Sequence, residues 1–222
     1  MPLFYPNISQ ITYFGVGDID ECSIIASFWA ARQAGFTGKL PTIGEFRRQA
    51  GVPDAPGPTG LTNTQVWQGL TRTGLAEGAS ILRRGTTWSD FVQSMQVAGT
   101  AASVALNSGA LPIGYRYGFQ GAHRVGLVWE NGQWYIANPL APEGSGPQAI
   151  SEADIKRAIL SFGPASQVVG ILFNAPKVAT ATPATTKAPV PGAAAVSGIT
   201  PARQVDAFLA AKFYAGRPHK RV

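Results

Sequence analysis

Three residues of this 222-residue chain have the types that together perform thiol acyl transfer: Cys22, His123 and Asn138. Cys22 is the single cysteine, so it cannot belong to an internal disulfide framework. With His123 and His219 as the two histidines, no zinc site of the Cys/His-cluster kind can be assembled either. The thiol is therefore structural or reactive. A thiol becomes a good nucleophile on ionisation, which a helix N-terminus favours through its unpaired N–H groups and positive dipole end. Ile24, Ile25, Phe28 and Trp29 predict a core helix over Ile19 to Ala34 with Cys22 in its first turn. The same N–H groups offer an oxyanion donor. Asp18, Asp20 and Glu21 work against a thiolate unless their carboxylates point away.

His123 follows a glycine-rich approach, Tyr117-Gly118-Phe119-Gln120-Gly121, and stands at the start of an expected strand. Asn131-Gly132 between Val125 to Glu130 and Gln133 to Asn138 is a strong hairpin signal. Pairing across that turn brings Asn138, just before Pro139, to the level of His123 or one step off. An amide there can accept the imidazole N–H, which completes nucleophile, base and orienter. Taken singly, each residue has a plainer reading: a core thiol, a satisfied strand-end histidine, a turn-initiating Asn-Pro. Trp129, Trp134 and Tyr135 read as hairpin core.

The elements that must position these residues are legible around them. Asp18 with Glu21, Thr42 with Glu45, Thr87 with Asp90 and Ser151 with Asp154 have capping-box or near-capping-box spacing. Another helix runs near Gln65 to Thr73, closed by Gly74, so four or five helices are expected. Ala101 to Leu106 and Gln167 to Phe173 are further strand candidates. Helices first and then an antiparallel sheet make the fold class α+β.

The chain is 45% apolar and 14% charged, long enough to bury one sizeable core or two small ones, which excludes a disordered chain. No run approaches the roughly 18 apolar residues of a spanning helix, and Met1-Pro2-Leu3-Phe4-Tyr5 lacks the order of a secretory leader. The expectation is a protein with no membrane span that is not exported by the common route, in a compartment the sequence leaves open. Met1 to Phe173 carries 11 Lys/Arg against 11 Asp/Glu, so the net charge of +6 comes from the last 49 residues, with 7 against 1. Nucleic-acid binding by the neutral first part is not expected; the basic tip, Arg217-Pro218-His219-Lys220-Arg221, is where a polyanion could bind. Residues 1–173 therefore form the expected domain and 174–198, rich in Ala, Thr and Pro, a linker. Residues 199–222 read as a helix started by Thr200-Pro201, with Val205, Phe208, Leu209 and Phe213 as an apolar stripe for a protein partner.

Over about Ile8 to Phe173 the chain resembles the bacteriocin-processing-peptidase-like branch of the papain-like cysteine peptidases. The resemblance is carried by Asp20-Glu21-Cys22-Ser23, Gly60-Leu61-Thr62 with Gln65 and Leu70, Gly121-Ala122-His123-Arg124-Val125 and Asn138-Pro139. It implies a papain-like α+β fold with N-terminal helices packed on an antiparallel sheet. Cys22 is then the nucleophile, His123 the base and Asn138 the orienter, standing where the family often has Asp. The family's oxyanion glutamine lies about six residues before the cysteine, where this chain has Val16; the nearest candidate is Gln10, twelve before. The implied activity is a cysteine peptidase or amidase acting on a peptide or isopeptide bond, with no metal or organic cofactor. The long spacer and lone thiol add the impression of a bacteriophage virion protein of the tail or head. The alternative is a peptidase fold kept without activity as an assembly protein.

Overall fold

The computed structural model describes residues 4–9, 21–53, 60–97, 99–161 and 167–174. Local caps start most of its helices. Helix α1, Cys22–Gln33, begins at the cysteine itself; Glu21 precedes it as N-cap and makes no side-chain cap bond. The helix is thus shorter than the Ile19 to Ala34 expected. Helix α2, Ile43–Gln49, and helix α3, Asn63–Arg72, each open on a complete capping box, Thr42 with Glu45 and Thr62 with Gln65. Helix α4, Trp88–Val97, follows Thr87, whose hydroxyl accepts from the Asp90 N–H while Asp90 accepts from the Thr87 N–H. Helix α5, Glu152–Leu160, starts from Ser151, which accepts from the Asp154 N–H.

The strands are β1 Ala79–Ile81, β2 Gly99–Asn107, β3 Ala122–Glu130, β4 Gln133–Ala137, β5 Gln148–Ile150 and β6 Gly170–Asn174. They form one antiparallel sheet in the order β1-β6-β2-β3-β4-β5. The order along the chain is less segregated than expected, because β1 falls between α3 and α4 and α5 follows β5. The β3–β4 turn takes positive φ at both Asn131 (51°) and Gly132 (80°), the combination that matches hairpin twist. Asn174, the expected first residue of the linker, is instead the last of β6, with its N–H bonded to the Gly78 carbonyl at 3.1 Å. The remaining linker and the expected terminal helix, residues 175–222, lie outside the described residues, as do Gln10, Asp18 and Asp20.

Each face of the sheet has its own core. Residues of α1, α2 and α3 pack with Ala101, Val128, Ala137, Ile171 and Phe173. Residues of α4 and α5 pack with Val104, Leu106, Val125, Leu127, Trp134 and Ile136. Every residue of α1 from Cys22 to Ala31 is buried, as expected of a helix apolar on all sides. The close approach of α1 to β3 requires Gly126: a Cβ there would fall 2.2 Å from the Trp29 ring. Ser27 Oγ bonds Ser103 Oγ at 2.9 Å and the Ser23 carbonyl at 2.8 Å, so the helix is tied to β2 by a satisfied polar contact. These ties fix the α1 N-terminus against the sheet. No helix among the described residues is long and apolar enough to cross a membrane.

Candidate active site

The hairpin places the imidazole and the amide together. Gly126 pairs with Ala137, so Asn138 stands diagonally from His123 on the same face of the sheet. His123 Nε2 lies 2.9 Å from Asn138 Oδ1. The amide orientation is fixed from two other sides: Nδ2 donates to the Tyr115 carbonyl at 2.7 Å, and Oδ1 accepts the Leu140 N–H at 2.9 Å. Oδ1 can only accept, so His123 carries its proton on Nε2 and its lone pair on Nδ1. Nδ1 is buried and has no hydrogen-bond partner. Burial pulls the imidazole pKa down to about 4, against a smaller upward pull from Asn138. At neutral pH the ring is uncharged and offers a basic nitrogen. The segment between β2 and β3 covers this face, with Phe119 packed on His123 at 5.5 Å between ring centroids.

Cys22 arrives from the other side of β3. Side chains alternate along the strand, so Arg124, Gly126 and Val128 face α1 whereas His123, Val125 and Leu127 face the second core. The backbone N–H of Arg124, the residue next to His123, lies close enough to the Cys22 sulfur to favour its ionised form. No hydrogen bond joins the sulfur to Nδ1. Burial raises the thiol pKa; the Arg124 N–H, the Arg124 charge and Ser23 oppose that rise, and Glu21 adds to it weakly. Of the three acidic residues expected near the thiol, Glu21 is described. It is buried in an ion pair with Arg47, which in turn donates from Nε to the Pro53 carbonyl at 2.6 Å.

The described N-terminal segment leads towards the same place. Asn7 exchanges backbone bonds with Ser145 and Gly144, the Ser9 N–H donates to Glu143 at 2.6 Å, and Ser9 Oγ donates to the Pro139 carbonyl at 3.5 Å. Ser9 immediately precedes Gln10 in the chain.

Sequence reasoning assigned no role to Arg124. A lone charge inside the apolar run Ala122-His123-Arg124-Val125-Gly126-Leu127 was the available signal, since an interior strand tolerates a charge only where something receives it.

No family model matches the chain, and no curated protein matches it. Among solved structures, a Bacillus anthracis protein described as a C39-like peptidase is similar, with TM-score 0.48 and 15% identity over 76% of this chain and 93% of that one.

Proposed function

We propose that the chain is a cysteine peptidase or amidase that cleaves a peptide or isopeptide bond through Cys22, His123 and Asn138. The observation that carries this reading is the Asn138 amide, whose fixed orientation leaves His123 Nδ1 free and basic one residue from Arg124, whose backbone N–H favours ionisation of the Cys22 sulfur. In the reaction Nδ1 takes the Sγ proton, Sγ bonds to the substrate carbonyl carbon, and the proton passes to the departing amine as the C–N bond breaks. Water then attacks the thioester, His123 takes one of its protons, and the acid leaves with the thiol restored. Catalytic hydrogen bonds are often unformed before substrate binds, and here Nδ1 must close on Sγ at the start of β3. The α1 N-terminus, without a side-chain cap from Glu21, supplies backbone N–H groups for the oxyanion. Gln10 is the proposed second donor, because its neighbour Ser9 is held at Pro139, beside Asn138.

The test is cleavage of a diverse peptide library, analysed by mass spectrometry, with wild type, Cys22→Ser and His123→Ala. Cleavage products from wild type alone support the proposal. Cuts that persist in Cys22→Ser, or none from a folded wild type, refute it.

A second reading is favoured by one observation: burial holds both thiol and imidazole in their neutral forms and no hydrogen bond joins them. On that reading the fold is a retired peptidase used for assembly, as in a phage tail or head, and the linker and terminal segment after Asn174 engage the neighbouring protein. Retention of assembly by Cys22→Ser, with loss on removal of residues 180–222, would identify it.

A further inference from the structure

Arg124 is the least explained buried group of the molecule. Its side chain is 3% exposed on the α1 face of β3, and its one side-chain bond runs from Nη2 to the neutral amide oxygen of Asn63 at 2.9 Å. Nη1 is buried with no partner, and Arg124 has no carboxylate partner among the described residues. A guanidinium taken out of water normally recovers its lost hydration from a carboxylate and several acceptors. Here it does neither.

The surroundings point to one receiver. Ser23 Oγ, next to Cys22, donates to the Leu61 carbonyl at 3.4 Å, two residues from the Asn63 that anchors Arg124, and both the Arg124 charge and its backbone N–H favour the ionised sulfur. The start of α1, the start of α3 and Arg124 therefore meet at one place. Asn63 is itself fixed, because its Nδ2 donates to the Gly170 carbonyl at 3.2 Å.

We infer that Arg124 is a fixed positive charge, anchored by Asn63, that stabilises the Cys22 thiolate. The inference rests on Cys22 being the nucleophile of the proposed reaction. Cys22 is the group whose charge acts on Arg124, raising its pKa against the burial that brings it down to about 10. The other ionisable groups around Cys22 leave room for this role. Glu21 is held by Arg47, and His123 is uncharged at neutral pH. Arg124 thus supplies the cation that a neutral imidazole lacks.

The test is the pH dependence of iodoacetamide alkylation at Cys22, followed by intact mass on the full chain, in wild type, Arg124→Gln and Arg124→Lys. The expected result is an inflection at higher pH in Arg124→Gln, with alkylation at a fixed lower pH slowed about tenfold for every pH unit by which the inflection moves. Arg124→Lys, which keeps the charge, should stay close to wild type. Equal inflections in wild type and Arg124→Gln, or inflections displaced equally in the Gln and Lys variants, would overturn the inference. Arg124→Met reads the same loss of charge if the Gln variant does not fold. Because no substrate is used, a displaced inflection in Arg124→Gln without library cleavage by wild type would refute the peptidase reading alone. Cleavage with an undisplaced inflection would refute the role of Arg124 alone.

Discussion

At the scale of single residues, the chemistry depends on which protonation states burial permits. A His123 pKa near 4 means that the acid limb of kcat/KM should fall close to pH 4, well below the limb an ordinary imidazole gives near 6.5. The lowered pKa also affects stability. Between about pH 6.5 and 4 the unfolded chain binds a proton at His123 that the folded chain refuses, so stability falls as pH drops through that window. The loss is on the order of 3 kcal/mol, and a denaturant series should show that slope in wild type and not in His123→Gln. Asn138→Asp puts a carboxylate against Nε2 and should raise the His123 pKa, read from the imidazole NMR titration; an unchanged titration would mean the pair is not formed in solution. Arg47→Met strips the ion pair from Glu21 beside the thiol and should cost about 3–5 kcal/mol, checked by chemical denaturation.

At the scale of elements, the legible parts of the fold were those made by short-range bonds. Thr42 with Glu45 and Thr62 with Gln65 fix helix starts within four residues, so a sequence pattern suffices. Asn131-Gly132 set the β3–β4 register and with it the diagonal meeting of His123 and Asn138. Strands β1 and β5 were not legible, because Ala79–Ile81 and Gln148–Ile150 are strands only by pairing with β6 and β4. Arg124 was missed for a related reason: its meaning appears when strand alternation and the arrival of α1 place it beside Cys22. The α1–β3 contact is tight enough to test by substitution. Gly126→Ala forces a Cβ into the Trp29 ring, whose Nε1 is tied to the Tyr5 carbonyl at 3.0 Å. It should destabilise by about 1–3 kcal/mol and lower turnover by displacing Cys22, as measured by thermal melting alongside library cleavage.

At the scale of the whole molecule, two cores on the two faces of one sheet hold the reacting groups from opposite sides. Cys22 heads α1 on the side of the first, and strand alternation turns His123 and Asn138 to the side of the second. Phe173 and the Asn174 N–H complete β6, so every described core contact lies within residues 4–174. Everything proposed for the reaction depends on Cys22 acting as an acyl-transfer nucleophile served by His123. Mixing the full chain with p-nitrophenyl acetate, and following both p-nitrophenol release and intact mass, reads that dependence without a peptide substrate. One rapid acetyl addition on Cys22 followed by turnover is expected, with the addition slowed at least about 100-fold in His123→Ala. Acetylation no faster than that of free cysteine, and indifferent to His123, would mean that the pair does not work as nucleophile and base.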